Sequence, residues 1–220
     1  MNVLLFGATG MVGQGVLREC LLEPDVTRVV TVGRAATGQR HAKLGEIVAS
    51  DLFDLSAHEA GLTGFDACFF CLGVSSAGMK EADYRRITYD LTLSVAGILA
   101  QDTPGMTFVY VSGQGTDSSE HGRSMWARVK GATENALLAL PLRAFMFRPG
   151  VIQPVHGVRS KTRLYSTIYR LTGPLLSLLR KLFPRLVITS ETLGRAMVQV
   201  ADRGAERTVL SPGDLNELGG

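Results

Sequence analysis

The sequence predicts an α/β fold, a doubly wound parallel sheet with a small helical C-terminal lid. Short apolar runs of strand length alternate with helical periodicities up to about residue 150. The first apolar run breaks into regularly spaced glycines before a helical pattern begins. From residue 151 onwards, the alternation is replaced by leucines at helical spacing.

The chain begins with a predicted strand, a glycine turn and a helix. Residues 3–6 are apolar, and Gly7, Gly10 and Gly13 follow before a helix expected to start at about Gly10 or Met11. Gly7 suits a sharp turn, Gly10 lets a pyrophosphate approach the backbone, and Gly13 lets the helix pack close to the sheet. The helix amides and dipole point at the same place. We therefore predict a Rossmann-type dinucleotide site here, the alternative being a purely structural turn.

The second predicted strand, at residues 27–33, ends directly before Arg34. In dinucleotide folds an acid near this point binds the ribose 2′-hydroxyl, whereas an arginine accommodates a 2′-phosphate. No Asp or Glu lies between residues 26 and 45, while Arg34, Arg40 and Lys43 do. The sequence thus favours NADP (NADPH) over NAD, the alternative being a solvated basic loop.

The later elements follow from the same periodicities. Strands are expected at residues 46–50, 65–72, 106–112, 142–147, 186–189 and 208–210, and helices at 80–101, 124–140 and from about 190 to 202. The helix at 80–101 should bury one stripe, formed by Ile87, Leu91, Val95 and Leu99. Ligands bind beyond the carboxyl ends of such strands, which here carry Gly7, Arg34, Asp51, Gly73, Ser112 and Pro149.

We expect a single domain over residues 1–220, in which 151–185 form a basic helical lid insertion. The net charge is +3, yet residues 136–190 contain nine basic residues and no acid. This asymmetry suggests a small-molecule substrate with anionic groups. The alternative for residues 158–185 is contact with a membrane surface or a protein partner. No nucleic acid partner is expected.

Composition indicates an ordinary globular protein of a reducing compartment. The three cysteines do not form a disulfide framework, and no secretory leader or membrane-spanning run is evident, so a cytoplasmic location is expected. Cys68 and Cys71 form a CxxC on a predicted strand, where side chains three apart point to opposite faces. This argues for a structural role and against a shared metal or disulfide.

With these residues assembled, the chain resembles the short-chain dehydrogenase/reductase superfamily. The likeness is to its atypical branch, near NAD(P)-dependent epimerase/dehydratase-like proteins and the Tat-interacting tumour-suppressor type, and it covers nearly the whole length. The matching motifs are GATGMVG at 7–13, Asp51-Leu52, Cys71-Leu72-Gly73, YVSG at 110–113, Lys130 and RPGVIQP at 148–154.

The resemblance implies a set of cofactor-binding residues. Those at 7–13 would surround the pyrophosphate, Asp51 and Leu52 would flank the adenine, Lys130 would hold the nicotinamide ribose, and residues 149–152 would pack near the nicotinamide. The full set is Gly7, Thr9, Gly10, Met11, Val12, Gly13, Arg34, Asp51, Leu52, Cys71, Leu72, Gly73, Lys130, Pro149, Gly150, Val151 and Ile152.

The candidate catalytic residues are Ser112, Trp126 and Lys130. The superfamily normally has a tyrosine four residues before the lysine, where this chain has Trp126, and an indole N–H is not a usable acid at neutral pH. Ser112 would hydrogen-bond a carbonyl or simply form a turn, and Trp126 would stack on a bound ring or anchor the core. Substitutes for the missing acid are Tyr84, Tyr89, Tyr165 and His156.

Three functions are compatible with this pattern. The first is an NADP-dependent oxidoreductase or epimerase-like enzyme acting on a small substrate. The second is a non-catalytic, NADPH-sensing regulator, which the loss of the tyrosine favours. The third is a peripheral membrane or scaffold role for residues 158–185.

Overall fold

The computed structural model describes residues 1–158 and 187–220 and contains a seven-stranded parallel sheet. The strands of the described residues are β1 Asn2–Phe6, β2 Arg28–Gly33, β3 Leu44–Val48, β4 Ala67–Phe70, β5 Thr107–Val111, β6 Arg143–Phe147, β7 Val151–Gln153, β8 Val187–Thr189 and β9 Val209–Leu210. The large sheet has the order β3-β2-β1-β4-β5-β6-β9, and β7 pairs with β8 separately. This order, with every neighbouring pair parallel, confirms the predicted doubly wound fold.

Helices cover both faces of the sheet. They are α1 Met11–Leu22, α2 Glu81–Arg85, α3 Leu91–Asp102, α4 Met125–Leu138, α5 Ser190–Arg203 and α6 Pro212–Gly219, with a short 3₁₀ turn at Ser56–Gly61. Successive residues of β1 alternate between two cores: Val3 and Leu5 pack with α1 and α5, whereas Leu4 and Phe6 pack with α3. Burial on both faces explains why the strands are continuous apolar runs.

The helix predicted at residues 80–101 contains a π turn at Arg86–Asp90, between α2 and α3. A π turn holds one extra residue and rotates the preceding stripe relative to the following one. Ile87 is consequently 37% exposed, while the neighbouring Thr88 is 6% exposed. The prediction that Ile87 belongs to the buried stripe is therefore wrong, although Leu91, Val95 and Leu99 are buried as expected.

The C-terminal part of the chain differs from the prediction in two places. The segment predicted as a helical lid, 151–185, begins with the strand β7, and its residues 159–185 lie outside the described residues, as does nearly all of the 158–185 surface. After β9, Ser211 forms a reciprocal capping box with Asp214, and Pro212 opens α6, a helix that the sequence analysis does not predict. None of the helices in residues 1–158 and 187–220 is long and apolar enough to span a membrane.

The two cysteines of the CxxC lie on opposite faces of the sheet. Cys68 belongs to the core on the α3 side, and Cys71 packs against the core on the α1 side. Burial raises the pKa of both thiols, and neither is in a disulfide. The prediction that the two side chains point to opposite faces is confirmed. No cluster of metal-binding side chains occurs among the described residues.

Candidate functional site

The turn between β1 and α1 requires glycine at its first position. Gly7 has φ +81°, and a Cβ built there would lie 2.7 Å from the backbone carbonyl carbon of Cys71, at the end of β4. The Gly7 carbonyl accepts a hydrogen bond of 2.9 Å from the amide of Gly10, which closes the turn. Backbone conformation and close packing both exclude a side chain here.

Gly13 brings α1 against the turn. A Cβ at Gly13 would lie 2.1 Å from the Gly7 oxygen and 2.8 Å from the Ala8 Cα, so the helix could not approach this closely with any other residue. This is the close helix–strand packing predicted for the third glycine.

Gly10 leaves the beginning of α1 open. A Cβ there would meet only the Gly7 oxygen, at 3.3 Å, within 4 Å. Gly10 is the N-cap and provides no side-chain cap, and the first turn contains no acidic residue. The amides of Met11 and Val12 stand at the positions where a helix has no internal acceptors for them. A negatively charged diphosphate fits this bare, positively polarised helix end.

An open cavity of about 350 Å³ adjoins the glycine turn. It brings together the ends of β1, β2 and β4 and the loop after β3, and its lining residues are Gly7, Ala8, Thr9, Thr31, Val32, Gly33, Arg34, Ala35, Thr37, Leu52 and Leu72. An adenosine half of a dinucleotide attached to a diphosphate at α1 would extend into this space.

The basic residues near this cavity are not equivalent. Arg34 is exposed and lines the cavity. Lys43 instead donates a 2.6 Å hydrogen bond to the carbonyl of Glu23, which caps the end of α1. Arg40 does not line the cavity. Of these three basic residues, Arg34 is the one placed to contact a ligand in this cavity.

Of the two residues predicted to contact the adenine, the structure places one in the cavity lining and the other outside it. Leu52 is 7% exposed and lines the cavity, whereas Asp51 points its carboxylate at the backbone amide of Phe53, 2.9 Å away. At the end of β4, Leu72 lines the cavity. Cys71 lies beneath Gly7, and Gly73 is exposed.

Ser112 and Lys130 meet at the end of β5. The Lys130 ammonium donates hydrogen bonds to the carbonyl oxygens of Ser112 and Val111, the latter at 3.4 Å. Burial lowers the pKa of Lys130 to about 8, while the negative charge of Glu134 acts in the opposite direction. The Ser112 hydroxyl is buried and donates to the Glu134 carboxylate, with the Phe147 carbonyl oxygen 3.1 Å away. Its proton is thus directed into the protein.

Sequence analysis missed Glu134, whose carboxylate is only 1% exposed. It accepts from Ser112 and is held by the guanidinium of Arg148, whose Nε lies 3.0 and 3.2 Å from the two carboxylate oxygens. Arg148 also donates to the hydroxyl of Ser118. One buried ion pair therefore ties together the ends of β5 and β6, α4 and the loop before α4. The available signal was an acid one helical turn after Lys130.

Trp126 lies one helical turn before Lys130, as the sequence predicted, and is partly buried. Its ring packs over Gly115, where an added Cβ would be 3.5 Å from the indole. This places the indole against the loop that follows β5.

The substitutes considered for the missing acid are occupied elsewhere or fall outside the described residues. Tyr84 is 2% exposed, and burial raises the pKa of its phenol. The ring of Tyr89 stacks under the Arg85 guanidinium at 4.0 Å. His156 pairs with Glu191 at 2.8 Å. Tyr165 lies outside the described residues.

Residues 149–152, predicted to pack near the nicotinamide, follow β6 and differ in exposure. The Pro149 carbonyl accepts a 2.8 Å hydrogen bond from the amide of Gln114, which links the loops after β5 and β6. Gly150 is partly buried, Val151 is 47% exposed, and Ile152 packs against the α1-side core. Of these residues, Val151 therefore presents the most open side chain.

Comparison with known proteins gives the family. No family model matches the chain. The mitochondrial protein fmp52 of Emericella nidulans is 33% identical over 177 residues, covering 77% of this chain and 73% of that protein. The mitochondrial protein fmp52-1 of Aspergillus oryzae is 31% identical over 169 residues, covering 74% and 69%. The chain belongs to the Fmp52 family.

Solved structures agree on the fold of this Fmp52-family protein. A UDP-glucose 4-epimerase superposes with a TM-score of 0.71 at 15% identity, covering 99% of this chain and 80% of the epimerase. The enzyme WbmF of Bordetella bronchiseptica, in complex with NAD⁺, gives 0.65 at 17% identity, covering 98% and 76%. The predicted resemblance to epimerase/dehydratase-like proteins is thereby confirmed for the fold.

The expected cytoplasmic location is wrong for this family. The curated relatives from Emericella nidulans, Aspergillus oryzae and Eremothecium gossypii are all named mitochondrial proteins. The composition argument only disfavoured secretion, since a reducing interior and the absence of a disulfide framework do not distinguish the cytoplasm from an organelle.

Proposed function

We propose that this Fmp52-family protein binds NADP(H) and acts as an oxidoreductase or epimerase-like enzyme on a small substrate. The observation that carries the proposal is the single cavity shared by the glycine turn and Arg34. The turn offers helix amides to a diphosphate, and the guanidinium offers paired donors to a 2′-phosphate. NAD⁺ in the structure of WbmF supports a nicotinamide dinucleotide as the cofactor class.

The chain's own residues have distinct tasks in this proposal. Residues 7–13 bind the diphosphate, Leu52 and Leu72 cover the adenine, and Lys130 orients the nicotinamide ribose. When bound, the cofactor supplies the hydride chemistry. Ser112 and Trp126 form the wall next to the reacting end.

A second candidate function is an NADPH-sensing protein without catalysis. Two observations favour it: Trp126 stands where the usual catalytic tyrosine would be, and the Ser112 hydroxyl donates its hydrogen bond to the Glu134 carboxylate. In this case the cavity serves only to bind the cofactor, and cofactor binding changes how the protein interacts with a partner.

Two further features of the proposal concern location and substrate. We propose a mitochondrial location, as in the names of the relatives. The anionic substrate rests on sequence alone, because Arg143 and Arg148 are hydrogen-bonded within the fold and the other seven basic residues of 136–190 lie in the part that the structure does not describe.

Cofactor choice is tested by calorimetric titration of the wild type and of Arg34→Glu with NADPH, NADP, NADH and NAD. We expect the wild type to bind NADPH more tightly than NADH. Arg34→Glu should weaken the affinity for NADPH at least about tenfold and leave that for NADH unchanged, since a carboxylate repels the 2′-phosphate. Equal wild-type affinity for NADH and NADPH would remove the argument from Arg34.

The enzyme and the sensor are separated by Trp126→Tyr. This change restores a phenol one turn before Lys130, so the sensor hypothesis predicts that the variant gains carbonyl reductase activity over an inactive wild type. A wild type that reduces a carbonyl panel as fast as the variant would favour the enzyme and show that it does not need the phenol.

A further inference from the structure

A carboxylate lies next to the cofactor cavity without lining it. Glu46 stands on the edge strand β3, opposite Thr31 of β2. One of its oxygens accepts a 2.7 Å hydrogen bond from the backbone amide of Thr37, and the Thr31 hydroxyl is 3.5 Å away. Both threonines line the cavity, and Glu46 does not. Hydrogen bonding by the side chain and the backbone amide of Thr37 holds the pKa of the Glu46 carboxyl below its usual range.

The tethered residue is close in sequence to the proposed phosphate ligand. Thr37 comes three residues after Arg34, in the loop that leaves β2. Within residues 1–158 and 187–220, Arg34 forms no ion pair, so the Glu46 charge is not used to neutralise it. The carboxylate instead fixes the backbone of the loop that carries the guanidinium.

We propose that Glu46 is a positioning residue for cofactor selection: it anchors the loop at Thr37 so that Arg34 faces the cavity. The inference rests on the proposed NADP(H) function and deepens it. A loop that is already ordered does not lose conformational freedom when it binds the 2′-phosphate, so the anchor favours the phosphorylated cofactor. NADH, which makes no contact through a 2′-phosphate, gains little from the same anchor.

A competing physical effect has the opposite sign. A carboxylate near a phosphate repels it, and if this effect dominated, removing the charge would strengthen NADPH binding. The two effects are separated by comparing Glu46→Ala, which removes both acceptor and charge, with Glu46→Gln, which removes the charge and keeps an acceptor oxygen.

The experiment is calorimetric titration of the full chain with NADPH and NADH, alongside melting temperatures. We expect Glu46→Ala to raise the Kd for NADPH about fivefold to tenfold and to change that for NADH by less than about twofold, as for the loss of one charged hydrogen bond. Glu46→Gln should weaken NADPH binding less than Glu46→Ala does. The matched control is Asp214→Ala, which removes a carboxylate that also accepts a hydrogen bond from a backbone amide, that of Ser211 at 2.8 Å, but does not line the cavity. This variant should leave both affinities unchanged.

Four results would overturn the inference. An equal loss for both cofactors would show a general structural role, and a gain of NADPH affinity in both Glu46 variants would show repulsion. Unchanged affinities for both cofactors in Glu46→Ala, with a wild type that prefers NADPH, would reject the anchor while leaving the proposed function standing. A wild type without preference would instead reject the proposed cofactor choice, and this inference with it.

Discussion

The glycine turn gives the sharpest prediction, because two neighbouring alanine variants should fail in different ways. In Gly13→Ala the new Cβ would lie 2.1 Å from the Gly7 oxygen and 2.6 Å from the Gly7 carbonyl carbon. These atoms are backbone, so no side-chain rotation relieves the overlap. The beginning of α1 must move by more than about 1 Å to restore ordinary contact, at a cost of about 3 kcal/mol, the upper range for overpacking.

Gly10→Ala is the matched control for stability. Gly10 has φ −79° and ψ 166°, which alanine adopts readily, and its Cβ would meet only the Gly7 oxygen at 3.3 Å. The change should alter the free energy of unfolding by no more than about 1 kcal/mol, the scale of an N-cap substitution. Its methyl group nevertheless projects at the point where a diphosphate approaches the helix amides.

The assay combines thermal unfolding with calorimetric titration of NADPH. Gly13→Ala should melt about 6–12 °C below wild type, from about 2–4 °C per kcal/mol for a domain of this size. Gly10→Ala should melt near wild type yet bind NADPH at least about tenfold more weakly. A Gly10→Ala variant with wild-type affinity would refute the phosphate-binding role of the turn, and an undisturbed Gly13→Ala would refute the packing argument.

Two further predictions concern the buried side chains at the ends of β5 and β6. Glu134→Ala leaves the Arg148 guanidinium without its buried partner and should lower the free energy of unfolding in urea by about 3–5 kcal/mol. The control is Glu81→Gln, in the exposed pair with Arg128, which should lower it by less than about 1 kcal/mol. Equal effects of the two substitutions would contradict the argument from burial. Burial lowers the pKa of Lys130 from its usual 10.5 to about 8, so between these two pH values folding releases a proton from its ammonium group. The free energy of unfolding should therefore rise with pH over this range. The affinity for NADPH should fall as the pH rises through about 8, because Lys130 then loses its positive charge. Lys130→Met should lack both dependences, and a variant that retains them would assign them to another group.

The local parts of the site were predictable from sequence, since they depend on steric rules over a few residues. The strand, three glycines and helix at residues 2–22 follow from hydrophobic periodicity and the need for missing Cβ atoms. The strand at 46–50 was placed two residues late, because β3 lies at the sheet edge and alternates in burial without a strong apolar run. Element types were thus easier to predict than their limits.

The parts that failed depend on tertiary contacts. The π turn that exposes Ile87 adds one residue to a helix whose periodicity alone gives no sign of it. Glu134 and Arg148 are 14 residues apart and meet only because β6 pairs with β5. Glu46 directly follows residues 26–45, which contain no acid, and the pairing of β3 with β2 brings it close to Thr37.

A crystal structure of this chain soaked with NADPH tests the central claim most directly. The account predicts the diphosphate within hydrogen-bonding distance of the Met11 and Val12 amides, with the 2′-phosphate against Arg34. Density for the cofactor elsewhere, or a diphosphate that does not touch the beginning of α1, would contradict it.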